Sequence, residues 1–156
     1  MRLLWALNHG YDSVSKRMGR TIGVTGPQRL VVRMIGCFPG ASAGELAGLL
    51  HSHPSTLTGV LRRLEMHGLI TRATDPQDGR RAQFGLTGGG RNIDRTKVGT
   101  IEAAMRRALQ GLPSSQVAAA ERILERIARE LDATAAGRTG AGRRRVAAAG
   151  GSAHRR

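Results

Sequence analysis

Few folds accommodate the stretch from His53 to Leu86, which orders a helix, a strand, a basic turn and a second strand in quick succession. Pro54 has no amide hydrogen to leave unpaired and suits the first turn of a helix. Leu57, Val60, Leu61 and Leu64 then recur at helical spacing and share one face. His67-Gly68 closes the helix, because glycine adopts the left-handed conformation of a C-terminal cap without steric penalty. Two short apolar runs follow, over residues 69–74 and 82–86, flanking Asp75-Pro76-Gln77-Asp78-Gly79-Arg80-Arg81. Asp-Pro and Asp-Gly both favour chain reversal, so the two runs are predicted to pair as a hairpin tipped with arginine.

Helix and hairpin carry chemistry as well as shape. The exposed start of the helix bears the hydroxyls of Ser55, Thr56 and Thr58, and Arg62 follows one turn later. Such a surface can enter a DNA major groove, where hydroxyls and arginine bond base edges or phosphates. A hairpin tipped with two arginines can reach the adjoining minor groove, whose narrow A·T-rich segments attract arginine. The combination is a winged helix-turn-helix. The preceding segment agrees. Ser42 caps a short helix over residues 42–50, and Glu45 three residues later completes a capping box. The helix-turn-helix therefore spans residues 42–67.

This pattern resembles the MarR family of bacterial transcription regulators. The resemblance is carried by Ser55-Thr56-Leu57-Thr58, by Leu64-Glu65-Met66-His67-Gly68-Leu69-Ile70-Thr71-Arg72, and by Asp75 to Arg81 leading to Leu86-Thr87. It covers roughly residues 1–135. It implies that Arg80, in Asp78-Gly79-Arg80, enters the minor groove. Asp78 would orient that arginine or tie the wing to the recognition helix, and Arg81 would contact phosphate. The chain departs from the family pattern at His53, where the cap is usually serine, and at Gly59, where a longer polar side chain is common.

Composition supports a binding protein. The 156 residues carry a formal charge of +14, and six of the arginines lie in the last 21 residues, which hold no acid. Without that tail, 19 basic and 11 acidic side chains still leave +8, which favours a polyanionic partner. Apolar residues make up 40% and aromatics only 3%, so the core is predicted to be aliphatic and helical. One cysteine, Cys37, excludes an intramolecular disulfide framework, and a packed, inert thiol is expected. No apolar run approaches a membrane span, and the first ten residues lack the apolar region and cleavage site of a signal peptide. A cytoplasmic protein without membrane association is expected. There is no nucleophile elbow, phosphate loop, carboxylate pair or metal-ligand spacing, so neither an enzyme nor a cofactor or metal is expected.

Read in order, residues 1–20 form a helix whose Leu4, Leu7, Tyr11, Val14 and Met18 make a narrow apolar stripe, as at a helix-helix seam. In the family this helix usually extends further at its N-terminal end. A second helix covers about residues 26–37, with Leu30, Val31, Met34 and Ile35 inward. In the third helix Leu46, Leu49 and Leu50 are expected inward. After the hairpin, Thr87 caps a long helix through residues 88–111, whose apolar face of Ile93, Val98, Ile101, Met105, Leu109 and Leu112 contains one irregular step. The glycines at 88–90 make its first turn poor, each costing about 1 kcal/mol relative to alanine. A last helix over residues 114–134 carries Val117, Ala120, Ile123 or Leu124, Ile127 and Leu131.

The expected fold is thus mainly α with a small β wing. Residues 1–135 form a winged helix-turn-helix domain, with residues 26–87 as the DNA-binding lobe and residues 1–20 and 88–135 as dimerisation helices. Residues 136–156, rich in Gly, Ala and Arg, are expected to be a disordered basic tail. The candidate DNA-binding residues are Ser55, Thr56, Thr58, Arg62, Asp78, Arg80 and Arg81. His9 and Tyr11 are candidate contacts for a small aromatic or anionic effector, as the resemblance implies. The expected function is a homodimeric, sequence-specific transcriptional regulator, a repressor acting on a pseudo-palindromic operator in double-stranded DNA. The alternative is an effector-independent winged-helix or architectural DNA-binding protein.

Overall fold

The computed structural model describes residues 1–149, and the side chains of residues 1–135 and 137. Its elements run α1 (Arg2–Thr21), α2 (Gly26–Cys37), α3 (Ala43–Leu49), α4 (Pro54–Met66), β1 (Ile70–Thr74), β2 (Ala82–Leu86), α5 (Gly88–Arg95), α6 (Ile101–Leu109) and α7 (Ser114–Ala149). Met1–Ala108 form one compact unit, and a second begins at Leu109.

Local chemistry sets most boundaries of the first unit. Gln28 Oε1 accepts from the Thr25 amide at 2.8 Å, and Glu45 Oε2 accepts from the Ser42 amide at 2.8 Å. These capping boxes open α2 and α3. Gly68 adopts φ +65° and ends α4, the left-handed cap expected from sequence. Thr87 accepts from the Gly90 amide at 3.1 Å and opens α5. β1 and β2 pair antiparallel with Ile70 opposite Leu86 and Thr74 opposite Ala82.

The core lies between α2, α3, α4 and the wing. Val31, Val32 and Ile35 of α2 meet Leu46 of α3, Leu57, Leu61 and Leu64 of α4, Ile70 of β1 and Phe84 of β2. Each such side chain contributes about 1.5–3 kcal/mol by leaving water. The wing is therefore anchored to the core through Ile70 and Phe84.

Several expectations are corrected. The helix predicted over residues 88–111 is two helices, interrupted at residues 96–100, where Gly99 takes φ +74°. The irregular step of the apolar pattern falls there, and Val98 is 84% exposed. Leu30 and Leu49, predicted inward, stand in solvent, and Val32 is fully buried instead. On α2 the inward place beside Leu30 is taken by Arg29, buried because its guanidinium is saturated with acceptors. Cys37 is exposed rather than packed. It is the last residue of α2, beyond the final inward position, Ile35. The backbone of α7 continues to Ala149, past the predicted end near residue 134. Alanine and arginine favour helix more than the scattered glycines oppose it. The remainder of the predicted tail, residues 150–156, lies outside the described residues.

Candidate nucleic-acid interface

The turn between α3 and α4 places the start of α4 on the surface. His51 occupies the left-handed region at φ 45°, a conformation histidine tolerates better than most side chains. His53 proves an effective substitute for the serine cap. Its Nδ1 accepts from the Ser55 amide at 3.4 Å and lies 2.8 Å from Ser55 Oγ. Thr58 Oγ1 donates to Pro54 O at 2.8 Å, so its single proton is committed and it faces a ligand only as an acceptor. Thr56 and Arg62 are exposed. Gly59 leaves the surface between them open, with nothing within 4 Å of a Cβ at that position.

The wing loop is shaped by two aspartates. Asp75 Oδ1 accepts from the Gln77 amide at 2.9 Å and Asp78 Oδ1 from the Arg80 amide at 3.0 Å. Side-chain-to-backbone bonds of this kind mimic a backbone turn. Asp78 thus acts on the backbone at Arg80, not on its guanidinium and not on the recognition helix. The amide bond from Gln77 is the main reason Asp75 titrates below the usual carboxylate range.

A cleft runs between α4 and the wing. Thr58, Arg62, Arg80 and Arg81 line it together, with Ser42, Glu45, Glu65 and Arg72. The structure therefore gathers four of the seven candidate DNA-binding residues around one concavity. Ser55 and Thr56 lie at the exposed first turn of α4, outside the lining, and Asp78 lies in the loop beyond it. Arg81 is not a free cation. Its Nη2 donates to Ser42 Oγ at 3.2 Å and lies 3.5 Å from Glu45 Oε1. Glu45 is held below the usual carboxylate range chiefly by the Ser42 amide and hydroxyl, with Arg81 adding to them. The backbone ties the middle of β2 to the segment just before Ser42: Gly40 donates to Phe84 O at 2.9 Å, and Phe84 donates to Ala41 O at 3.1 Å. Sequence reasoning found Ser42 and Glu45 as caps only. Arg81 is 39 residues from Ser42, so no local pattern announces their meeting.

The two candidate effector residues do not converge. Residues two apart on a helix point away from each other, so His9 and Tyr11 do not share a face of α1. Tyr11 packs where Gly26 of α2 and Ile101 of α6 approach; a Cβ on Gly26 would lie 2.9 Å from its hydroxyl and 2.5 Å from Ile101 Cδ1. Burial raises the Tyr11 pKa first of all, and Asp12 and Glu102 raise it further.

Comparison with known proteins turns this geometry into a family assignment. The model of the MarR family matches residues 24–82. The HTH-type transcriptional repressor Rv2887 of Mycobacterium tuberculosis is 32% identical over 106 residues, covering 68% of this chain and 76% of that one. The chain belongs to the MarR family. As a MarR protein it is a winged-helix, DNA-binding transcriptional regulator, and the family is one of regulators rather than enzymes. The PcaV transcriptional regulator from Streptomyces coelicolor, solved in complex with its natural ligand, is 26% identical with a TM-score of 0.68, covering 81% of this chain and 89% of that one. Mutant MarR from E. coli, solved with operator DNA, is 25% identical with a TM-score of 0.66, covering 81% and 91%. Among the described residues no helix is long and apolar enough to cross a membrane, and no three His, Cys, Asp or Glu side chains gather as a metal site requires.

Proposed function

We propose that this MarR-family protein is a homodimeric repressor. It would read a pseudo-palindromic operator with α4 and grip the flanking minor groove with Arg80. The observation that carries the reading is the cleft between α4 and the wing, which Arg62, Arg72 and Arg80 line together with Thr58. Arg80 is exposed and held to the rest of the chain through its backbone alone, so its guanidinium is free for DNA. Ser55, Thr56 and Thr58 meet base edges or phosphates at the exposed end of α4, and Arg62 bonds guanine or phosphate. Arg81 ties the wing loop to the α3 cap instead of the phosphate role expected for it.

Dimerisation is supported by what the chain leaves uncovered. Leu3, Leu4, Trp5 and Leu7 of α1 are exposed, as are Ile123, Leu124 and Leu131 of α7. Apolar side chains clustered in solvent mark an interaction surface, and a two-fold partner presenting the same faces would bury both sets. Two recognition helices then address half-sites about 34 Å apart. A small aromatic or anionic effector would act by binding two spacings of those helices unequally. Tyr11 at the junction of α1, α2 and α6 is the better-placed contact for it, while His9 lies off that junction.

The test is binding to a duplex from the protein's own upstream region against a scrambled duplex, across a salt series. Wild type should prefer the upstream duplex at moderate salt, and Arg80→Ala should reduce that preference about 10-fold, as for loss of one good groove contact. Equal affinities that fade together with salt would favour the charge-driven, architectural alternative.

A further inference from the structure

The interruption between α5 and α6 is held from below by a buried arginine. Arg29 of α2 is 4% exposed. Its Nε lies 3.0 and 3.2 Å from the two carboxylate oxygens of Glu102, in the first turn of α6. Its Nη1 donates to Ile93 O, and its Nη2 donates to Thr96 O at 2.6 Å and to Asp94 O at 3.4 Å. One turn further along α2, Arg33 Nη1 bonds Asp94 Oδ1 at 2.9 Å. The last carbonyls of a helix have no partner within it and carry the negative end of its dipole. Arg29 supplies both the missing donors and the opposing charge at the point where α5 stops.

The same side chain reaches across the gap. Between the two helices the chain passes through Gly99 at φ +74°, and buried Thr100 then opens α6 by accepting from the Ala103 amide at 3.2 Å. Two contacts tie the start of α6 to α1 and α2: Ile101 beside Tyr11 and Gly26, and Glu102 on Arg29. Arg29 belongs to the helix that also supplies Val31, Val32 and Ile35 to the DNA-binding lobe. One guanidinium therefore joins the lobe, the end of α5 and the start of α6.

We propose that Arg29, acting through Glu102, is the positioning residue that sets the angle of the α6 arm on the DNA-binding lobe, and thereby the half-site spacing the dimer accepts. The inference rests on the operator-binding dimer proposed above. With the ion pair broken, α6 loses its charged tie to the lobe and can swing about the 96–100 segment. The lobe itself, whose core does not include Glu102, stays intact. The consequence is selective: loss of discrimination between spacings, without loss of grip on one half-site.

The probe is a duplex selected from a random pool by the wild-type protein, with variants carrying one or two base pairs added or removed at its centre, and a duplex carrying a single half-site. Wild type is expected to bind the parent spacing about 10-fold or more above the shifted ones, because linked sites lose their avidity when geometry forbids joint engagement. Glu102→Gln keeps the side chain's size and removes its charge; it should shrink the preference to about threefold or less and leave single half-site affinity unchanged. Glu102→Asp, with the charge retained on a shorter stem, should fall between the two. A folded Glu102→Gln protein that keeps the full spacing preference overturns the proposal. So does a parallel loss of single half-site affinity, which would make the ion pair a support of the lobe. Wild type that selects no two-half-site duplex overturns the operator reading itself, an outcome separable from both.

Discussion

Gly89 and Gly90 are neighbours in the first turn of α5, yet alanine at the two positions should act in opposite directions. A Cβ on Gly90 would lie 2.0 Å from the Leu69 carbonyl oxygen, 3.1 Å from its carbon and 3.3 Å from Leu86 Cδ2. Ordinary contact begins near 3.4 Å, so the backbone of α5 must retreat from Leu69 by about 1.4 Å. No rotamer change relieves a clash between a Cβ and a backbone oxygen. The retreat also pulls on Thr87, whose hydroxyl donates to Gly68 O at 2.7 Å and accepts from the Gly90 amide at 3.1 Å. Overpacking costs up to about 3 kcal/mol and the lost cap about 1 kcal/mol. Alanine returns up to about 1 kcal/mol of helix propensity. Gly90→Ala should therefore destabilise the protein by about 3 kcal/mol. A Cβ on Gly89 meets nothing closer than Leu69 Cδ2 at 3.5 Å. Gly89→Ala keeps only the propensity gain and should be stabilising by a few tenths to about 1 kcal/mol. Urea unfolding followed by far-UV circular dichroism, at one fixed protein concentration because association shifts apparent stability, measures both. The reasoning fails if Gly90→Ala lies within about 0.5 kcal/mol of wild type, the range of an ordinary surface substitution, or if both variants move the same way.

Two further outcomes follow from the charged groups. Glu45→Gln should release Arg81 from the α3 cap toward DNA and steepen the salt dependence of binding by about 0.9 in log–log slope, one phosphate's worth; an unchanged slope would show that Arg81 stays where it is without its partner. Burial opposes ionisation of Glu102, but its own amide, Arg29 and Thr100 outweigh that and hold its pKa below the usual value. A carboxylate depressed in the folded state stabilises above its unfolded pKa, near 4.3, and loses that contribution as pH falls through the folded value. Urea midpoints between pH 7 and pH 3 should therefore fall less steeply for Glu102→Gln than for wild type.

The origin of each correct expectation is short-range. The α4 stripe of Leu57, Leu61 and Leu64, the Ser42–Glu45 and Thr87 caps, and the Gly68 stop all involve residues at most a few turns apart, so periodicity and capping chemistry display them in the linear order. The Asp75 to Arg81 turn is equally local, and with it the placing of Arg80 at an exposed tip. Even the break after α5 left a trace, the irregular step between Ile93 and Val98.

What the sequence determined alone was thus the identity of the elements and the basic tip of the wing, together with the family those pieces mark. Tertiary structure decided which side chains the elements bury against each other. Nothing in the linear order singles out Arg29, but acceptors 64 to 73 residues away make it the most connected side chain in the joint. The same holds for Arg81, captured by an α3 cap far back along the chain, and for Leu30 and Leu49, turned outward once the core was filled. Gly90 looked like a defect in a helix start and is instead the only residue small enough for α5 to lie on Leu69. Interactions within one turn depend on spacing that the sequence contains; these depend on distances between elements, which exist only after the core has closed.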